Sequence, residues 1–147
     1  MREIIYQSVA SEALGPDDVF RIVYCAKRSN ETVGLSGFLI YSSGCFLQLL
    51  EGPHLELRRT FGAICRDRRH RDVRVLSDRP IVTRLFPDWH MRRIEQWDET
   101  RARRFLAEKL GERMPISIER ALREFYGSLD RSVKELAALD ETAVRSG

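Results

Sequence analysis

The chain has 147 residues, of which 43% are hydrophobic and 32% charged, and its formal net charge is +3. These values are typical of one folded globular domain and exclude an intrinsically disordered chain. The three cysteines form no CxxC pair and no apolar run is long enough to span a bilayer, so we expect buried free thiols, no metal site and no membrane partner. No signal peptide is recognisable, so a cytoplasmic location is the default expectation.

The first half of the chain alternates between strand and helix patterns. Residues 3–8 are rich in β-formers and predict a short strand. A helix is predicted over residues 16–29, because a proline suits its first turn and apolar residues recur at helical spacing. Residues 35–42 and 45–51 predict two more strands, and the Ser-Gly pair between them is typical of a tight hairpin.

The pattern continues with a second amphipathic helix over residues 57–67. Strands are predicted at residues 73–82 and 88–94. The order β-α-β-β-α-β with an extra strand predicts an α+β, ferredoxin-like sandwich, with both helices on one face of a mixed sheet.

The composition changes after this sandwich. Residues 99–110 and 117–139 carry only helical patterns. We therefore predict a sandwich domain at residues 1–97 and a helical extension at residues 98–147 that packs on the sheet.

Two polar side chains interrupt otherwise apolar strands. By the period of two, Gln48 shares a strand face with Phe46 and Leu50, and Tyr6 shares one with Ile4. If this face is buried, the Gln48 amide needs partners, because leaving it unpaired costs about 1–3 kcal/mol. A solvent-exposed face, or backbone partners, would explain the glutamine equally well, and tyrosine is an ordinary core residue. The pattern alone leaves the function of both residues open.

Further polar groups follow the predicted helices. Asn30 lies where the first helix is expected to end, a position where asparagine is commonly a cap. Asp67, Arg69 and His70 follow the second helix and include donors suited to phosphate, although most charge runs are solvated loops.

The last predicted strand carries two large apolar residues. Trp89 and Met91 are two positions apart, so we expect them to face the same way and His90 to face the other. The sequence has no phosphate loop, no GxGxxG, no HExxH and no GxSxG, so no constellation for enzymatic chemistry is visible.

Together these segments resemble the BLUF family, the flavin-based sensors of blue light. The resemblance covers residues 3 to about 94, and its most specific string is Phe-Leu-Gln-Leu-Leu-Glu-Gly-Pro at residues 46–53. The other strings are Ile-Ile-Tyr-Gln-Ser at 4–8, Asn30 with Gly-Leu-Ser-Gly at 34–37, Asp-Arg-Arg-His at 67–70 and Arg-Leu-Phe-Pro-Asp-Trp-His-Met at 84–91.

The resemblance implies a photosensor without enzymatic turnover that holds FAD non-covalently between the sandwich helices, with FMN and riboflavin as alternatives. It implies that Tyr6 donates an electron and a proton and that Gln48 bridges Tyr6 and the flavin ring. Ser29 is shorter than the residue the family often has at its position. The other implied roles are flavin contact for Asn30, Ser29, Gln48, Asp67, Arg69 and His70, and signalling for Trp89 and Met91.

Two other functions share the predicted fold. An RNA-binding module would need exposed aromatics in a basic-Gly-aromatic motif, and residues 46–50 do not form one. A small hydrolase would need an arginine-asparagine loop after the first strand, where residues 9–12 read Val-Ala-Ser-Glu. We therefore expect no nucleic-acid partner. The expected output is contact with a separate downstream effector protein through residues 99–139, and we expect a homo-oligomer.

Overall fold

A computed structural model describes residues 1–95 and 98–145 of the chain, with side chains described throughout except at residues 132–137 and 140–145. The predicted domain boundary at residue 97 lies outside the described residues. The elements are β1 (Arg2–Ala10), α1 (Pro16–Val33), β2 (Ser36–Ser42), β3 (Cys45–Gly52), α2 (His54–Arg66), β4 (His70–Pro80), β5 (Arg92–Ile94), α3 (Glu99–Leu110) and α4 (Ile116–Arg145).

The five strands form one mixed sheet in the order β4-β1-β3-β2-β5. All neighbours are antiparallel except β2 and β5, which are parallel. Ser43 and Gly44 join β2 to β3 with φ of 50° and 75°, the left-handed backbone that a two-residue hairpin turn requires. The predicted α+β, ferredoxin-like fold with C-terminal helices is confirmed.

Helices cover both faces of this sheet. On the α1/α2 face, the helices pack their apolar residues over Ile4, Leu39 and Leu50. On the α3/α4 face, helical residues such as Leu106 and Phe125 join a larger core with the opposite side of the strands. Because successive residues of a strand point to opposite faces, the polar residues of β1 and β3 are divided between these two environments.

Several predicted bounds shift in the structure. α1 runs on to Val33, because Gly34 is the residue that ends it, with φ of 74° and an N–H bonded to the carbonyl of Asn30. α2 begins at His54, three residues before the predicted start, because Leu55 in its first turn is exposed and lies off the apolar stripe that marked the helix. β4 runs from His70 to Pro80 rather than over residues 73–82.

The last strand is much shorter than predicted, with only three residues. The chain before it bends: the Trp89 N–H bonds the carbonyl of Phe86, and the Trp89 carbonyl accepts from Gly37. The prediction of buried thiols is also wrong for Cys25 in α1 and Cys65 in α2, which are both exposed.

Candidate functional site

The strand register brings Tyr6 and Gln48 together. The two residues are direct partners in the antiparallel pairing of β1 and β3. Their side chains are 3% and 6% exposed, and the Tyr6 hydroxyl donates a hydrogen bond to Gln48 Oε1. Burial, followed by the charges of Cys65 and Asp67, raises the pKa of the Tyr6 phenol. Tyr6 therefore stays protonated at neutral pH and holds its proton toward the amide.

The other end of the Gln48 amide meets sulfur. Its Nε2 donates to Met91 Sδ at 3.6 Å, and a thioether is a weak acceptor. Gln48 thus has one strong partner in Tyr6 and one weak partner in Met91.

A cavity of about 290 Å³ lies above these two residues, between α1 and α2. This volume is near the lower end of small-molecule sites in proteins. Its walls are mainly apolar, with polar groups at the floor and at one end. The lining residues are Tyr6, Ile22, Cys25, Ala26, Ser29, Asn30, Leu39, Phe46, Gln48, Thr60, Ala63, Ile64, Asp67, Arg69 and His70.

Asn30 lies in the last turn of α1, with its side chain turned inward. It is 2% exposed, and its Nδ2 donates to the carbonyl of His90 at 2.7 Å. The asparagine therefore connects the cavity wall to the loop that precedes β5, instead of acting as the helix cap. Ser29, one position earlier, is exposed at the rim of the same cavity.

Asp67 and Arg69 form an ion pair in the short connection between α2 and β4. Arg69 donates to Asp67 through its backbone N–H at 3.0 Å and through its guanidinium, with Nη2 at 2.6 Å from Oδ2. These hydrogen bonds lower the pKa of the Asp67 carboxyl. The pair places both a cation and an anion at the end of the cavity.

His70 fixes the start of β4 beneath this ion pair. Its Nε2 lies 2.5 Å from the carbonyl of Ile64, and its Nδ1 lies 2.8 Å from the hydroxyl oxygen of Ser8. Because a carbonyl only accepts, Nε2 carries a proton, and the Ser8 hydroxyl is placed to hydrogen-bond Nδ1. The ring therefore links α2, β1 and β4 at the wall of the cavity.

Trp89 and Met91 lie on opposite faces of the sheet, so the prediction that they face the same way is wrong. Met91 is buried in the α1/α2 core. Trp89 packs in the α3/α4 core, with its ring 5.0 Å from that of Phe86 and 6.2 Å from that of Phe105. The alternation rule fails because residues 89–91 precede the strand and follow a turn.

The sequence assigned no site role to eight of the cavity-lining residues, which are Ile22, Cys25, Ala26, Leu39, Phe46, Thr60, Ala63 and Ile64. Cys25, Thr60 and Ala63 line the cavity, but none of them carries a distinctive chemical signal. The helical spacing could have identified them, because Cys25 lies three residues after Ile22 and Ala63 lies one turn before Asp67.

Among the described residues, no helix combines the length and apolarity that a membrane crossing needs. The same residues contain no group of three His, Cys, Asp or Glu side chains arranged to hold a metal ion.

The first 92 residues match a family model described as BLUF, sensors of blue-light using FAD. Among curated proteins, the photoactivated adenylate cyclase subunit beta of Euglena longa is 35% identical over 94 residues, which are 63% of this chain and 11% of that protein. Subunit alpha of the Euglena gracilis cyclase is 33% identical over 94 residues, or 63% of this chain and 9% of that protein. The chain thus spans about a tenth of the length of these relatives.

Solved structures of similar proteins extend the likeness into the helical region. The dark-state structure of BlrB, a BLUF protein, is 29% identical, covers 86% of this chain and 96% of its own, and has a TM-score of 0.66. BlrP1 of Klebsiella pneumoniae, solved with FMN and cyclic diGMP, is 28% identical, covers 86% of this chain and 34% of its own, and has a TM-score of 0.73.

Proposed function

We propose how this chain, which belongs to the BLUF family of blue-light sensors using FAD, detects light. In this proposal the hydroxyl of Tyr6 and the amide of Gln48 convert the absorption of blue light into a change of hydrogen bonds. Family membership makes the chain a flavin-binding photosensor and decides against the RNA-binding and hydrolase alternatives. The observation that carries the assignment of residues is the buried hydrogen bond from Tyr6 to Gln48 at the floor of the α1/α2 cavity.

The residues around the cavity fit a flavin. Asn30 and Gln48 are amides that are 2% and 6% exposed, and such groups can hold the polar edge of a ring by donating and accepting. Asp67 and Arg69 at the cavity end suit the polar chain that a flavin carries, and Ser29 at the rim is within the same wall. We propose FAD as the flavin, with FMN and riboflavin distinguished by mass spectrometry of the extracted chromophore. The bound flavin would supply the absorption of blue light and accept an electron when excited.

Tyr6 is the proposed electron donor. Loss of an electron makes a phenol far more acidic, so the proton that Tyr6 holds can pass to Gln48 Oε1. The Gln48 amide can then exchange its donor and acceptor ends by rotation or tautomerisation. The exchange changes the hydrogen bonds that Gln48 offers to Tyr6, to Met91 and to the cavity. The electron and the proton then return to Tyr6, so that no residue is left oxidised and no substrate is consumed.

The proposed output is the helical extension beyond the sandwich. Trp89 lies between this layer and the site. Phe105 and the ammonium of Lys109 in α3 pack on its ring, the latter at 5.3 Å from the centroid. Two residues further along the chain, Met91 contacts Gln48. The curated relatives are adenylate cyclase subunits, so a coupled effector has precedent in the family. For this chain we propose a separate effector protein that contacts α3 and α4.

The test of the site is the visible spectrum of the purified chain. We expect a yellow protein whose flavin band shifts slightly to the red under blue light and returns in the dark. Tyr6→Phe should retain flavin and lose the shift, whereas Tyr41→Phe, on the same face but outside the cavity lining, should keep it. A well-folded chain that takes up no flavin, or a Tyr6→Phe variant that cycles normally, would refute the proposal.

The test of the output is hydrogen exchange in the dark and under blue light. We expect altered protection in α3 and α4 as well as beside the cavity. If only segments around Tyr6, Asn30 and Gln48 respond, these helices are not the output. Light scattering would check the predicted homo-oligomer in the same samples.

A further inference from the structure

A second group of buried polar residues lies on the opposite face of the sheet from the cavity. Glu3 and Glu51 are direct cross-strand partners in β1 and β3, and both are fully buried. Like charges in directly opposed positions destabilise a sheet, and a buried carboxylate is costly without partners. Each of these buried acids therefore needs its own set of hydrogen-bond donors.

The donors around Glu51 come mostly from one loop. Its Oε1 accepts from the Phe86 N–H at 2.6 Å and from the Ser36 hydroxyl at 3.1 Å, and its Oε2 accepts from the Leu85 N–H at 2.9 Å. Arg84 adds a positive charge nearby by donating to Ser36 Oγ at 3.2 Å. Burial raises the pKa of the Glu51 carboxyl, and these donors act in the opposite direction.

Glu3 uses different partners. Arg79 of β4 donates to both of its oxygens, at 3.0 and 3.3 Å, and the Ser117 hydroxyl of α4 donates at 3.3 Å. The two acids thus share burial and strand position, but only Glu51 accepts hydrogen bonds from the loop after β4.

That loop contains a stretch that passes from one face of the sheet to the other. We call residues 85–91 the crossing segment. Its first residues, Leu85 and Phe86, donate their backbone N–H groups to Glu51. In its middle, Phe86 and Trp89 stack in the α3/α4 core with their rings 5.0 Å apart. It ends on the cavity face at Met91, beside Gln48. One continuous stretch of backbone therefore contacts both the proposed switch and the proposed output helices.

We propose that Glu51 is a positioning residue that anchors the first end of the crossing segment, so that a change at Gln48 displaces its Met91 end and reaches Trp89. This inference rests on the proposed function of Tyr6 and Gln48. The physical reason is that the two ends of the crossing segment are held by hydrogen bonds of different strength, so that the more weakly held end moves first. Two charge-assisted backbone hydrogen bonds hold the Glu51 end. The other end is held by neutral hydrogen bonds from Gly37 to the Trp89 carbonyl and from Asn30 to the His90 carbonyl. Its only contact with the proposed switch is the weak one between Met91 sulfur and Gln48.

Glu51→Gln tests the anchor, because it preserves the shape of the side chain but replaces one of its two acceptor oxygens with an NH₂ group. Two backbone N–H groups and a hydroxyl would then have a single side-chain oxygen as acceptor. Glu3→Gln is the matched control, since it removes an equally buried acid from the facing strand. We expect both variants to bind flavin and shift to the red. In Glu51→Gln the dark recovery rate should change by about fivefold or more, as expected for the loss of about one such hydrogen bond, and the light response of α3 should be lost. In Glu3→Gln recovery should stay within about twofold of the wild type.

Equal recovery rates in the two variants would overturn the proposal while leaving the role of Gln48 intact. A wild-type chain without any red shift would overturn both. If Glu51→Gln does not fold, hydrogen exchange of the wild type decides the question. We expect the Leu85 and Phe86 amides to stay protected in light, while the Gly37 amide, which donates to Trp89 at 2.7 Å, exchanges faster. Equal loss of protection at all three amides would contradict an anchor at Glu51.

Discussion

The two faces of the sheet satisfy their buried polar side chains in opposite ways. On the α1/α2 face, Gln48 shares its amide between the Tyr6 hydroxyl and the sulfur of Met91, beside an open cavity. On the α3/α4 face, Glu51 is fully buried and accepts hydrogen bonds from two backbone amides and a hydroxyl. A side chain with one weak hydrogen-bond partner, such as Gln48, can exchange its hydrogen bonds at a low cost in free energy. A side chain whose acceptors all have strong donors, such as Glu51, loses more free energy when it moves. One sheet can therefore carry a movable site on one face and a fixed support on the other.

Packing density should differ between the faces as well, and two phenylalanines test this. Phe86 is fully buried in the α3/α4 core, and Phe46 lines the cavity. We expect Phe86→Ala to lower the free energy of unfolding by about 3–5 kcal/mol. Phe46→Ala should cost less, because part of its ring already lacks packing partners.

Urea denaturation of the flavin-free chain would measure both values. A larger loss in Phe46→Ala than in Phe86→Ala would mean that the cavity face is the better packed of the two.

The next effect concerns how the cavity holds its ligand. Asn30 is buried and can donate and accept, whereas Ser29 is exposed and carries a shorter side chain. We expect Asn30→Ala to weaken flavin binding by about 1 kcal/mol, a severalfold rise in Kd, and Ser29→Ala to weaken it less. Titration of the flavin-free variants with FAD gives the ranking, and the reverse order would refute it.

The smallest expected effect is the pH dependence at the cavity end. Hydrogen bonds from Arg69 lower the pKa of Asp67 below its ordinary value of 3.8. A carboxyl with a lowered pKa stabilises the fold above its unfolded pKa, and this contribution is lost as the pH falls through the folded pKa. Asp67→Asn should therefore lose stability at neutral pH, by less than about 1 kcal/mol, and flatten the acid limb of the stability profile.

Arg69→Gln should give the same loss, and the double variant should add nothing to it. Urea denaturation between neutral and acid pH would measure this. Additive losses in the double variant would show that the two residues act separately.

Local patterns were enough to predict much of the fold and of the cavity floor. The period of two grouped Gln48 with Phe46 and Leu50 and Tyr6 with Ile4, although it left open whether these faces are buried. The Ser-Gly turn predicted the hairpin that brings β3 beside β2. The pairing of Tyr6 with Gln48 itself was beyond local reasoning, because 42 residues separate them in the chain and the register depends on the whole sheet.

The crossing segment shows where local patterns fail. Alternation predicted Trp89 and Met91 on one face, but a turn at Phe86 rotates the chain and separates them. Glu51 was visible only as part of a family string, since its donors Leu85 and Phe86 lie more than 30 residues later and only the folded structure brings them together.

The most direct test of the Tyr6–Gln48 switch is the light-minus-dark spectrum of Gln48→Leu. Gln7→Leu is the matched control, because Gln7 lies in β1 with its side chain near α4, on the opposite face from Tyr6. We expect both variants to bind flavin. Gln7→Leu should show the reversible red shift of the wild type, and Gln48→Leu should show none. A Gln48→Leu variant that shifts and recovers like the wild type would contradict the account.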